Sequence, residues 1–362
     1  MNNNFDLQSQ PLVAIWETNA RIGPGATSES PGDLPELTDK EAEQLIRDIT
    51  ELNPRVFVFA GADPLRRNHI VSLVQYAASC GLHPTMVLGP ESHVTRSSIS
   101  ELKNANLSRL GFTLNGATEE VHDHDCGIRG SFARTLQAIQ WANECRVPVQ
   151  IHTQVSRHNM AEIEEIGQLL KWYRILSWSI SFPVPQEGES LHDLPCAGEF
   201  EEAFSSIHRI AQSVPFKVKV VEAPHYRRFM VQQRTRARAG TAGLVVLPFV
   251  EEGIPGVLPI NEGRASLFIS STGEIFPSPS LRVAAGNVRH DNVADVYHNA
   301  PLFESLRDPE SLKGKCGTCE FKEMCGGSRA RAWALTGDMF AEECCCSYQP
   351  MSAQKISVNM AI

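Results

Sequence analysis

The 362-residue sequence contains no apolar run long enough to cross a bilayer, so no membrane-spanning helix is expected. Its first residues, Met1 to Pro11, lack the basic start and apolar stretch of a secretory leader, and a soluble cytoplasmic protein is expected. Positive charge is also short: 33 Lys and Arg stand against 42 Asp and Glu, a net charge of −9. Without an overall positive field, neither a general nucleic-acid surface nor an anionic-membrane surface is expected. No internal repeat or low-complexity tract stands out. Hydrophobic residues make up 42%, enough to bury a sizeable core, which excludes wholesale disorder. The length suggests about two domains, or one large and one small.

Cysteine is unevenly distributed. None occurs before Cys80, four are scattered (Cys80, Cys126, Cys145, Cys196), and six crowd the end (Cys316, Cys319, Cys325, Cys344, Cys345, Cys346). A disulfide scaffold suits small secreted chains, so this clustering points instead to a metal site.

From Leu12 to about Val221, short apolar runs alternate with segments of helical period. Strands are predicted at Leu12–Glu17, Arg55–Ala60, His83–Leu88, Arg109–Leu114, Val147–Val155 and Ser177–Pro183. Helices are predicted near Thr38–Asn53, Asn68–Cys80, Arg96–Asn106, Ser131–Cys145, Met160–Tyr173 and Glu199–Gln212. In the first helix, Ala42, Leu45, Ile46, Ile49 and Leu52 repeat at three- and four-residue steps behind the capping signal Thr38-Asp39-Lys40-Glu41. Six such units imply an α/β fold with a parallel sheet, either a barrel, a partial barrel or a doubly wound sheet. In each of these, chemistry sits at the C-terminal strand ends. After Val221 the rhythm breaks. Arg227–Arg238 reads as a solvated helix or loop, or as a patch for an anionic partner, and Gly240–Gly263 as a connecting loop. Leu267–Ile269 and Ile275–Phe276 read as a hairpin around Thr272-Gly273-Glu274, and Asn292–Asn299 and Leu302–Leu306 as short helices.

Cys316-x-x-Cys319 followed by Cys325 places three thiols within ten residues, and Cys346 returns 21 residues later. A CxxC turn lets two thiolates share one metal centre, with backbone amides donating to the sulfurs. Gly326-Gly327-Ser328 suits a tight turn into a helix over Arg329–Leu335 that ends near Gly337, and Arg329 and the helix N-terminus would offset thiolate charge. Four thiolates serve zinc and iron–sulfur alike.

These segments are similar to the radical SAM superfamily, specifically to members with a C-terminal SPASM or twitch domain that act in haem biosynthesis and peptide-cofactor maturation. The most specific stretches are Leu312–Cys319 and Cys325–Ala332, with Glu222–Arg228, Ala285–Arg289, Asp63-Pro64-Leu65, Gly130-Ser131-Phe132 and Ser156–Asn159 also similar. The resemblance implies a partial (β/α)6 TIM-like barrel over residues 1–225, a linker over 226–264, and a SPASM/twitch-like iron–sulfur domain over 265–362. It further implies one auxiliary 4Fe–4S cluster on Cys316, Cys319, Cys325 and Cys346, with Cys344 and Cys345 as bystanders or alternatives. Members of the family carry CxxxCxxC after the first strand, and those thiolates hold the cluster that binds and cleaves S-adenosylmethionine. Here Ile22, Ala26 and Glu29 stand at those places, and no cysteine precedes Cys80. Ile and Ala cannot ligate iron, so loss of that cluster is expected and binding of S-adenosylmethionine is in doubt. Glu17, Gly61, Asp63 and His152 would be the remnant of its pocket. Ser278, near a place where full SPASM domains have cysteine, argues against a second auxiliary cluster.

His122-Asp123-His124-Asp125-Cys126, if extended, would put His122, His124 and Cys126 on one face, with an exposed polar loop as the simpler expectation. Trp16, Trp141, Trp172, Trp178 and Trp333 fall in apolar patterns and are expected in the core. The expected function is a divergent radical SAM-type protein that assists cofactor or peptide maturation. It would meet a peptide or tetrapyrrole-like substrate, or an active paralogue. A still-active enzyme and a structural or electron-transfer iron–sulfur protein are the alternatives.

Overall fold

The computed structural model describes residues 10–20, 35–185, 194–242 and 262–351. Seven parallel strands lie side by side in chain order: β1 (Val13–Glu17), β2 (Val56–Ala60), β3 (Pro84–Leu88), β4 (Arg109–Thr113), β5 (Val149–Gln154), β6 (Ile175–Ser181) and β7 (Lys217–Val221). On the other side of β1 the sheet continues through β8 (Ser266–Ile269), parallel to β1, and then antiparallel through β9 (Glu274–Phe276) and β10 (Gly286–Asn287). The C-terminal region therefore extends the same sheet, with Ala14 opposite Leu267 and Trp16 opposite Ile269. The six predicted strands appear within two residues of their expected bounds.

The main helices of the βα units are α1 (Asp39–Leu52), α2 (Ile70–Ser79), α3 (Arg96–Asn104), α4 (Glu119–Cys126), α5 (Ser131–Glu144), α6 (Ile163–Leu170) and α7 (Ala197–Ala211). They cover one face of the sheet. Trp16, Phe57, Phe59, Leu110, Phe112, Ile151 and Trp178 on alternate strand positions join Leu45, Ile49, Ile139 and Ile166 in one buried cluster. Each such aliphatic or aromatic side chain contributes about 1.5–3 kcal/mol by leaving water. The intervening strand positions face the lumen of a partial barrel. Helix α1 begins as its sequence dictates. Thr38 Oγ1 accepts from the Glu41 amide (3.3 Å) and the Glu41 carboxylate accepts from the Thr38 amide (2.8 Å).

Three segments differ from the sequence expectation. Strand β7 was hidden because Lys-Val-Lys-Val-Val alternates as an edge strand does, with lysines that discourage further pairing. The His122–Cys126 segment is the end of helix α4, not an extended run or polar loop, because Thr118 caps it and Gly127 closes it at φ +68. The basic stretch lies in helix α8 (His225–Ala242), but Arg227 and Arg228 at its start are not solvated. Trp172 and Trp333 are also exposed, at 86% and 40%, rather than in the core. The positions Ile22, Ala26 and Glu29, and most of the expected loop over 240–263, lie outside the described residues. After β10 come α9 (Val293–Asn299), α10 (Pro301–Arg307), the single turn α11 (Gly314–Gly317) and α12 (Arg329–Thr336). Among the described residues, no helix is long and apolar enough to cross a membrane.

Candidate functional site

Cys316, Cys319, Cys325 and Cys346 all line one open cavity of about 390 Å³, with His225, Arg228 and Lys315 on its wall. Local turns put them there. Cys316 sits in α11, and Cys319 follows as its amide turns back to the Cys316 carbonyl (3.4 Å). After Cys325, Gly326 and Gly327 both adopt φ +67, a left-handed pair that only glycine takes without strain. A Cβ on Gly327 would lie 2.5 Å from the Arg329 guanidinium and 2.8 Å from Glu343 Cβ. Ser328 then caps α12, which stops at Gly337 with φ +72, as the sequence predicts. The chain returns through Lys313, whose amide donates to the Phe340 carbonyl (2.8 Å), and delivers Cys346.

Each of the four sulfurs accepts a backbone amide. The Glu343 amide donates to Cys316 Sγ at 3.3 Å, and the amides of Phe321, Gly327 and Tyr348 donate to Cys319, Cys325 and Cys346. Burial pushes the Cys319 thiol up to about 11 and the Cys325 thiol up to about 12, and raises Cys316 and Cys346 as well. A bound metal reverses this balance, since its own charge stabilises thiolate. Cations already stand by. Arg228 Nη2 is 4.0 Å from Cys346 Sγ, with its guanidinium 5.5 Å over the Tyr348 ring and paired to Glu201. Lys315 Nζ donates to the Cys346 carbonyl (2.8 Å), and Arg227 donates to the Met324 carbonyl (2.9 Å). His225 is fully buried between Phe200 and Phe204, and neither ring nitrogen has a partner among the described residues. Burial lowers its pKa to about 3, so it is neutral and presents one N–H.

Behind the cysteines lies a buried ion pair that sequence reasoning missed. Arg331 Nη1 meets Glu343 Oε2 at 2.9 Å, with both side chains essentially inaccessible. Arg331 also donates to the Glu222 carbonyl (2.7 Å) and the Pro183 carbonyl (3.1 Å) at the barrel mouth. Glu343 further accepts from the amides of Ser328 (2.8 Å) and Cys345 (3.0 Å). Arg331 balances the buried Glu343, whereas Arg329 donates to the carbonyls of Met339 and Ala341 and its charge favours the Cys316 thiolate. The only sequence signal was a second arginine two residues after the first. Cys344 and Cys345 do not line the cavity; Cys344 is exposed and Cys345 is buried, their sulfurs 3.9 Å apart. With Glu343 they form a set whose ligand atoms lie within 4.8 Å of one another. The Glu343 carboxylate is already committed to Arg331, so it is a poor place for a cation.

The remnant-pocket residues take local roles. Glu17, at the end of β1, pairs with Arg282 at 3.3 Å. Asp63 accepts from the Leu65 amide (3.2 Å) and caps the turn Pro64–Arg66. Gly61 has φ +132, and a Cβ there would lie 2.5 Å from Asn19 Oδ1. Asn19 fills this strand end, donating to the Asp63 carbonyl (2.7 Å) and accepting from the Ala62 and Asp63 amides. His152, on β5, faces the lumen. No hydrogen bond among the described residues joins Glu17, Asp63 and His152 to one another. In α4, His122 Nδ1 accepts from the Asn115 amide (3.0 Å) and Nε2 faces Cys126 Sγ (3.7 Å), whereas His124 stacks on His158 at 3.9 Å. The helix thus separates His124 from the other two.

Residues 18–170 match the radical SAM superfamily. The chain is 32% identical to the AdoMet-dependent heme synthase of Methanosarcina barkeri over 351 residues, covering 95% of this chain and 98% of that one. It is 24% identical to the PqqA peptide cyclase of Bradyrhizobium diazoefficiens over 322 residues, covering 87% and 79%. In fold it is similar to Streptococcus suis SuiB bound to S-adenosylmethionine, with a TM-score of 0.70 at 15% identity over 94% of this chain and 78% of that one. The chain belongs to the radical SAM superfamily, and its sheet is the partial barrel of that fold.

Proposed function

We propose that this chain is a radical SAM family protein that has lost the S-adenosylmethionine-cleaving cluster and keeps one auxiliary 4Fe–4S cluster on Cys316, Cys319, Cys325 and Cys346. In this reading it assists maturation of a haem-like or peptide-derived cofactor, the settings named in its relatives. The observation that carries it is the convergence of four thiols, each accepting an amide, on one cavity, in a chain with no cysteine before Cys80. The donor set fits the auxiliary cluster: residues 265–351 supply the sulfurs, and His225, whose ring nitrogens have no partner among the described residues, lines the same cavity. A cubane is bound through four separate irons, which suits four thiols set around one open cavity. The first-strand region does not fit a second cluster. Ile22 and Ala26 offer no donor, and Asn19 occupies the strand end at Gly61. When bound, the auxiliary cluster supplies one-electron chemistry or a substrate anchor; Arg228, Lys315 and the Arg331–Glu343 pair hold its loop and balance its charge.

Anaerobic reconstitution with iron and sulfide tests this. About four irons per chain and no 5′-deoxyadenosine from S-adenosylmethionine are expected. About eight irons together with 5′-deoxyadenosine would show an active enzyme instead.

A further inference from the structure

The lumen side of the barrel has a charge imbalance unrelated to the cysteine cavity. No aspartate or glutamate occurs anywhere in β3, β4, β5, β6 or β7. The strand register puts Thr85 beside Arg109, Ser177 beside Lys217, and His152, Ser179 and Lys219 in one row on the lumen side, opposite the face that packs on the helices. Arg109 is half-buried, and among the described residues its guanidinium has no hydrogen bond or ion pair; nor does the Lys219 ammonium. Two hydroxyls on the same side, Thr85 Oγ1 and Ser177 Oγ, are buried without a partner although their residues are only 3% and 2% exposed. The third orphan is His152 Nε2, which stands over Gly111, where a Cβ would lie 2.9 Å away.

Buried polar groups are nearly always satisfied, and a half-buried cation without a counter-charge is costly. Here three orphaned buried polar groups and the half-buried, unpaired Arg109 share one wall, with the exposed Lys219 at its edge. The like charges crowd each other: the Lys219 ammonium is pushed down by burial and then by Arg109 and Lys217. His152 is lowered to about 4 by burial first and then by Lys219, so it is neutral and has one N–H to give. A negative ligand would offset the charge of Arg109 and Lys219 and accept from hydroxyls that now have no partner. Arg109 offers a planar fork that matches an oxyanion, Thr85 can donate beside it, and Ser177 stands beside Lys217 on the far side of the lumen. Lys217 and Lys219 are exposed on the edge strand β7, which leaves an approach from that side.

We propose that the barrel lumen between β3 and β7 binds a small oxyanion, a carboxylate or a phosphate group, held by Arg109, Lys219 and the hydroxyls of Thr85 and Ser177. The site is independent of the cluster and of whether S-adenosylmethionine is cleaved.

Thermal unfolding of the full chain, titrated with inorganic phosphate and separately with succinate at constant ionic strength, tests it. Ligand that binds the folded chain raises the midpoint with concentration. In Lys219→Gln and in Arg109→Gln the apparent affinity should fall about tenfold or more, the effect of losing a charge-assisted contact. Lys171→Gln, at an exposed position away from the lumen, should titrate like the parent. Lys219 is exposed, so its variant keeps the test readable if Arg109→Gln does not fold. A larger response to succinate assigns a carboxylate, and a larger response to phosphate assigns a phosphoryl group. No response in the parent chain, or equal responses in the parent and Lys219→Gln, overturns the proposal.

Discussion

The ends of β1 and β2 and the C-terminal cysteine cavity handle close backbone approach in opposite ways. At Gly61 the room left by a missing Cβ is taken by Asn19, whose amide group ties two loops of the same chain together. At Gly327 the missing Cβ leaves the Arg329 guanidinium and Glu343 in contact range, and the amide faces a sulfur instead. One region spends its backbone donors on itself, and the other aims four of them at thiols. One scaffold thus carries two mouths that use their backbone donors differently.

The sharpest way to break that contrast is at the sulfurs. Cys316→Ala or Cys325→Ala should abolish the iron absorbance and drop iron from about four per chain to near zero after reconstitution; unchanged absorbance would place the metal elsewhere. Next in size is the pair behind them. Arg331→Met leaves the Glu343 carboxylate buried and unpaired, so chemical denaturation should report a loss of about 3–5 kcal/mol. Adding Glu343→Gln to that variant should recover part of the loss. Gly327→Ala forces a left-handed backbone and a steric contact, a cost of about 1–3 kcal/mol by the same measurement, whereas Gly81→Ala, with open space around its Cβ, should cost less.

Stability should also depend on pH. Burial, and then the charge of Glu262, hold the Glu222 carboxyl up to about 8 against an ordinary value of 4.5. Between those values the folded chain keeps a proton that the unfolded chain has released. Stability therefore falls as pH rises from about 5 to 8 and levels above it, by at most about 1.4 kcal/mol per pH unit from this group. Glu222→Gln should flatten that slope in denaturation curves measured at several pH values. Trp172→Ser should move stability by no more than about 0.5 kcal/mol, because the ring is 86% exposed.

Much of the barrel was legible because strand and helix periods are local signals. Thr38 to Glu41 announces α1, and runs such as Val56–Ala60 announce buried strands. The edge strand β7 was not, since Lys217 and Lys219 break its apolar pattern. Of the cysteine site, the spacing of Cys316, Cys319 and Cys325 and the turn at Gly326 and Gly327 could be read directly. Arg228, Arg331 and Glu343 could not, because each acts on a residue far away in the chain, from Pro183 to Cys346.

Residue order alone determined which segments bury an apolar face, where helices begin and stop, and that no cysteine precedes Cys80. Only the tertiary structure decided which of the six late cysteines share a cavity and which arginine balances their neighbours. It alone also left cations on the lumen wall without a counter-charge. The physical reason is range: hydrophobic period and capping act within a few residues, whereas charge pairing and sulfur–amide contacts depend on which distant segments the packed sheet brings together.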